Sequence, residues 1–203
     1  MSYSSLWVMD KEFNGECLMD FGNSWLFSPV SWDILLEKYI PKKTLDEKRS
    51  YISESMFDRG LFGKLNGMIN NSPTQEDRVL WELGNQNIFF TKDKDFIADC
   101  IDQFLITNSE FGRNLGDHIQ ERYSQVANEI RNLDDGKYPY FIFKNTSCDD
   151  NVEYWFTKYD EDEDECTPIS LDKVDKFVSE FVVVENGKIA NFIDNQEYFS
   201  TNL

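Results

Sequence analysis

Six consecutive acids, Asp160-Glu161-Asp162-Glu163-Asp164-Glu165, are the most concentrated chemistry in the chain. Hard cations prefer oxygen ligands, so calcium binding is the first chemistry such a run brings to mind. The spacing argues against it. Counting from Asp160, the sixth position is Glu165, where a calcium loop needs Gly, and the twelfth is Leu171, where it needs Glu. Zinc is no better served: Cys17, Cys100, Cys148 and Cys166 form no Cys-x-x-Cys pair. Nucleophilic catalysis by Ser or Cys needs an imidazole to take the proton, and His118 is the sole histidine. It follows no Gly-x-Ser-x-Gly elbow and reads as a helix-terminal side chain. The glycines sit at scattered turn positions and match no phosphate-binding loop. With 38 acids, any two carboxylates can be paired on paper for acid–base work, so that signal has no specificity. The expectation is a chain that is not an enzyme and needs no metal or cofactor.

Charge is the informative property. Across 203 residues, 38 Asp and Glu oppose 20 Lys and Arg, a formal net charge of −18. That sign excludes an overall basic field for nucleic acid. Aromatics make up 15% of the chain, which excludes a natively disordered acidic protein. Residues 134–166 concentrate the asymmetry, with eleven acids against three lysines, a net of −8. The same stretch carries Tyr138, Tyr140, Tyr154, Trp155, Phe156 and Tyr159. Anionic groups on an aromatic ribbon suit a cationic protein surface: the field speeds encounter, and the rings supply anchoring area. The expected contact set is Asp149, Asp150, Glu153, Tyr154, Trp155, Tyr159, Asp160, Asp162 and Asp164. The competing explanation makes the rings core and the acids a solvated surface.

These features point to an acidic inhibitor that binds a basic, nucleic-acid-handling protein. An immunity protein, an antitoxin and a phage-type inhibitor imitating DNA charge all meet the description. Its partner is then a basic protein such as a nuclease, with no direct contact to nucleic acid or membrane. Two alternatives stand beside it: a hydrolase with a carboxylate and aromatic pocket, and a structural interaction subunit. The exposed acids of the two central helices form a second candidate surface.

The elements that must hold these residues are expected to build one α+β domain over 1–203. Antiparallel hairpins dominate it, helices pack on one face, and an αα-hairpin lies at its centre. Strands are expected at 5–9, 16–21 and 24–28, with a helix from Pro29. A flexible connection follows at 40–50, where Lys42, Lys43, Lys48 and Arg49 make a basic island. Residues 51–70 read as a broken helix, and 79–83 with 87–91 as a hairpin around Gly84-Asn85. Phe96, Ile97, Cys100, Ile101, Phe104 and Leu105 share one helical stripe, as do Leu115, Ile119, Tyr123, Val126, Ala127, Ile130 and Leu133. Aromatic strands at 138–144 and 152–159 are expected to pair through Asp149-Asp150-Asn151. Residues 138–144 are apolar on both faces, the mark of a central strand. An acidic loop at 160–168, a helix at 170–180, a hairpin through Asn186-Gly187 and a frayed tail at 195–203 complete the reading. The first residues lack a basic and then apolar leader, and no apolar run approaches the roughly 20 residues that cross a bilayer. A cytoplasmic chain with reduced cysteines is therefore expected; a Cys148–Cys166 bridge is the alternative.

Overall fold

The computed structural model describes residues 3–40, 59–111, 115–146, 156–173 and 180–202. The fold is α+β, with a six-stranded mixed sheet and, among the described residues, six helices. The chain divides into two compact units: Met1–Ser24, Asn85–Lys94 and Asn132–Leu203 form one, and Trp25–Gly84 and Asp95–Arg131 the other.

The first unit holds the sheet. Its strands are β1 (Tyr3–Met9), β2 (Gly15–Gly22), β3 (Ile88–Phe90), β4 (Tyr140–Thr146), β7 (Phe181–Glu185) and β8 (Lys188–Ile193), in the order β2-β1-β4-β3-β7-β8. Only the β3–β7 pairing is parallel. A separate two-stranded sheet pairs β5 (Thr157–Asp160) with β6 (Glu165–Pro168). Strand β4 lies between β1 and β3, and its Phe141, Ile142 and Phe143 are all buried. Its apolar character on both faces thus matches its central place. The β7–β8 hairpin turns through Asn186 (φ 51°) and Gly187 (φ 68°). Two successive left-handed residues are what a type I′ turn needs, and Asn-Gly supplies them at least cost.

One face of the sheet is sealed by rings. Trp7, Met9, Ile88, Ile142 and Phe181 from the strands meet Phe13, Phe156, Leu171, Tyr198 and Phe199. Phe181 stacks on Tyr198 at 3.8 Å between centroids, and Trp7 on Phe156 at 4.9 Å. Gly15 permits the second contact, because a Cβ there would fall 2.3 Å from the Phe156 ring. Tyr198 and Phe199 belong to helix α6 (Asn195–Asn202). The expected frayed tail is therefore corrected: burial of two rings against Phe13 and Phe181 holds it.

The second unit contains α1 (Ser28–Tyr39), α2 (Arg59–Asn70), α3 (Gln75–Gly84) and nearly all of α4 (Lys94–Thr107), with α5 (Asp117–Arg131). Helices α4 and α5 bury the two expected stripes, including Ile97, Cys100, Ile101 and Phe104 on one and Ile119, Tyr123, Val126 and Ile130 on the other. They face one another, with Phe104 and Tyr123 stacked at 6.1 Å and Arg131 reaching back to Asp99 (3.0 Å) and Asp102 (2.9 Å). A buried polar knot ties the unit together. Lys38 Nζ donates to Asp77 Oδ2 (2.6 Å) and Asn108 Oδ1 (2.8 Å), and Asn108 Nδ2 donates to Asp77 Oδ1 (2.8 Å). The Tyr39 hydroxyl donates to Asp77 Oδ2 (2.6 Å); burial, and then this bond, hold its phenol above the ordinary range.

Four further expectations are corrected. Residues 24–28 form a 3-10 turn (Ser24–Leu26) and the start of α1, because Pro29 favours a first helical turn over a strand. Residues 79–83 are helical, not one arm of a hairpin. Glu76 and Asp77 favour the first turn of α3, while Val79, Leu80, Trp81 and Leu83 are buried on all sides. Strand β4 pairs with β1 and β3, and Thr157–Asp160 pairs with β6. The β4 rings thus lie in the core, away from any ribbon shared with Tyr159. The stretch 160–168 is a turn and a strand, not a loop. Residues 41–50 of the expected connection and 174–179 of the expected helix lie outside the described residues.

Among the described residues, no helix is long and apolar enough to cross a membrane. Two stability predictions follow from this packing. Asp77→Ala strands a lysine and an amide and is expected to lower unfolding free energy by about 3 kcal/mol. Phe199→Ala opens the ring-lined layer and is expected to cost about 3 kcal/mol. Urea titration of each variant checks both; a loss under roughly 1 kcal/mol contradicts the assigned burial.

Candidate acidic docking hairpin

Strands β5 and β6 run antiparallel, with Thr157 opposite Pro168, Lys158 opposite Thr167, Tyr159 opposite Cys166 and Asp160 opposite Glu165. Residues 161–164 close the turn. Local hydrogen bonds shape it: Asp160 Oδ1 accepts from the backbone N–H of Asp162 (3.0 Å) and of Glu163 (3.4 Å). This is the Asx arrangement that lets an Asp side chain open a turn. Asp164 follows at φ 53°, a left-handed conformation that Asp tolerates better than most residues. Its carboxylate accepts the Tyr159 hydroxyl, tying the turn to the strand. On the other arm, Thr167 Oγ1 donates to Lys158 O (3.1 Å). An acidic run that looks like solvated linker therefore has its own fastening, built from Asp160, Asp164, Tyr159 and Thr167.

All six carboxyl-bearing residues of the run are exposed, as is Tyr159 at 47%. Lys158 is the one base between Thr157 and Pro168. The two strands of a hairpin lie about 5 Å apart, so the backbones of Asp160 and Glu165, which face each other, fall within one Debye length, about 8 Å at physiological salt. Such charges act on an approaching cation together. A side chain four residues away, Phe156, is buried beneath Trp7 and anchors the base of the hairpin. Its backbone carbonyl accepts the Ile169 N–H (2.8 Å), closing the hairpin at its root.

Of the expected contact residues, Tyr159, Asp160, Asp162 and Asp164 meet on this hairpin. Asp149, Asp150, Glu153, Tyr154 and Trp155 lie outside the described residues. Other members of the acidic stretch have separate work. Asp134 Oδ1 accepts the backbone N–H groups of Gly136 (3.0 Å) and Lys137 (3.2 Å), and Asp135 lies 3.9 Å from Lys94 Nζ. Tyr138 is buried, and its hydroxyl donates to Glu16. Among the described residues, no three His, Cys, Asp or Glu side chains converge to hold a metal ion.

The thiols divide by environment. Cys17 and Cys166 are exposed and Cys100 is buried, and these three form no disulfide. Burial, with smaller contributions from Glu76 and Asp99, pushes the Cys100 thiol up to about 12. At pH 8 Cys100 is then held as the thiol, and the thiolate is the reactive form. A maleimide applied to the native protein at pH 8 is expected to label Cys17 and Cys166 well before Cys100. Peptide mass mapping reads the order, and early labelling of Cys100 contradicts the burial of α4.

Comparison with protein-family models, with curated proteins and with solved structures returns no match for the chain.

Proposed function

We propose that this chain is an acidic, stoichiometric inhibitor that binds and blocks a basic, nucleic-acid-handling protein. One observation carries the reading: six adjacent carboxylates stand exposed on a hydrogen-bonded hairpin beside an exposed tyrosine ring. The anionic field attracts a cationic surface from a distance, and Tyr159 supplies contact area on arrival. Inhibition by occupancy asks for no nucleophile, metal or cofactor, so the partner's cationic site is simply covered. An immunity protein, an antitoxin and an inhibitor that imitates DNA charge each fit this reading.

The test is a capture from host lysate at low salt, identification of the retained protein, and kinetics with that protein once purified. The retained protein is expected to be basic. Its association rate is expected to fall at least tenfold between 50 and 500 mM salt, as electrostatic steering is screened. The triple variant Asp160→Asn, Asp162→Asn, Asp164→Asn is expected to slow association at 50 mM salt and to reduce that salt dependence. A partner that is not basic, or a rate indifferent to salt, contradicts the proposal.

A further inference from the structure

The acidic hairpin is not the only surface that suits a cationic partner. Helices α4 and α5 enclose a groove of about 470 Å³. Leu105, Ile106 and Tyr123 give its lining an apolar part, and Ser109 lies beside them. Ile106 is 66% exposed, the most exposed large apolar side chain among the described residues. A β-branched aliphatic this open to water is stabilised when a partner covers it. Asp102 on α4 and Gln120 and Ser124 on α5 form the rim. Gln120 and Ser124 also border a shallow polar surface along the outer side of α5, which carries Asp117, Glu121 and Glu129.

Charge then limits what fits. Arg131 divides one positive charge between Asp99 and Asp102, so that trio keeps a net negative charge. Asp117, Glu121 and Glu129 add three more along the same side. Among the described residues, neither the groove nor the adjoining surface is lined by a lysine or an arginine. A second copy of the chain brings its own net −18 and is repelled. A segment that is apolar along one side and basic along its margins satisfies both features. Its apolar side chain covers the apolar part, and its Lys or Arg side chains reach the acidic rim.

We infer that the α4–α5 groove is a second docking site, which takes a basic amphipathic segment of a partner protein through an apolar anchor over Ile106. The inference rests on the cationic partner proposed above, but it places a separate contact on that partner, independent of the β5–β6 hairpin. Affinity at the groove depends on the apolar area around Ile106, whereas the hairpin offers six carboxylates and a single exposed ring.

The test uses ¹⁵N-labelled full-length protein and two capped 12-residue peptides of equal positive charge. One has leucines at helical spacing among lysines; the other has serines in their place. With the leucine peptide, amide shifts are expected to centre on Leu105, Ile106, Gln120 and Ser124, with affinity at least fivefold above that for the serine peptide. Ile106→Lys is expected to weaken leucine-peptide binding roughly tenfold, and Ile106→Ser roughly threefold to fivefold. Both changes fall at an exposed position, and an unchanged thermal midpoint verifies the fold. The Asp160→Asn, Asp162→Asn, Asp164→Asn variant is expected to keep the groove shifts. Shifts confined to residues 157–168, equal affinity for the two peptides, or binding by both Ile106 variants within twofold of the parent overturns the groove. Groove binding that survives while the triple variant leaves salt-dependent capture unaltered points instead to failure of the hairpin reading.

Discussion

Like charges placed side by side repel, and the β5–β6 hairpin holds six of them in a row. In water, two unit charges 4 Å apart cost about 1 kcal/mol, and salt reduces the cost beyond about 8 Å. The pairing of Asp160 with Glu165 must therefore be stabilised by interactions that outweigh this repulsion. The structure supplies several: the ladder from Thr157–Pro168 to Asp160–Glu165, the Asp160 turn, the Tyr159–Asp164 bond and the Thr167–Lys158 bond. Below them, Phe156 is clamped under Trp7. The anionic surface exists because apolar burial at its root and hydrogen bonds along its length offset the repulsion at its tip.

The unit that carries this hairpin is stabilised mainly by aromatic packing. Phe13, held in a left-handed conformation (φ 62°), stacks on Tyr140 and meets Phe199 edge-on. Such a backbone is costly for a bulky residue and persists where packing dictates it. Helix α6 returns to the same layer, where the Tyr198 and Tyr140 hydroxyls lie 2.6 Å apart. The helical unit follows a different rule. Its apolar stripes bury against one another, and its register is set by the buried Asp77, whose two oxygens satisfy Lys38, Tyr39 and Asn108. A buried carboxylate with every partner in place specifies one arrangement of helices, because any slip leaves a charge unpaired.

Much of the fold was legible because local signals were long or chemically specific. Helices α4 and α5 declared themselves through sustained apolar spacing, nearly three turns from Phe96 to Leu105 and about five from Leu115 to Leu133. The Asn186-Gly187 dipeptide announced its turn, and the doubly apolar β4 announced a central strand. Illegible elements depended on distant partners or lacked a period. Helix α3 is buried all round over Val79–Leu83, which erases the polar face that marks a helix. The parallel β3–β7 pairing joins residues some ninety positions apart. Helix α6 is secured by Phe13 and Phe181, which no local window contains. For the docking hairpin, composition marked the acids but could not sort the rings. Phe156 and Tyr159 look equivalent in sequence, yet one is sealed and the other open. Strand β6 is only Glu165-Cys166-Thr167-Pro168, too short to show alternation, and its proline argues against a strand.

The central claim is that these carboxylates are held in fixed relative positions before any partner arrives. Nuclear Overhauser contacts across the hairpin, between Tyr159 and Cys166, test it most directly when recorded on the free protein at low salt, where repulsion is least screened. The account predicts that these cross-strand contacts are present at 20 mM salt and persist at 200 mM. Their absence at both concentrations, with random-coil shifts from Asp160 to Glu165, would contradict it.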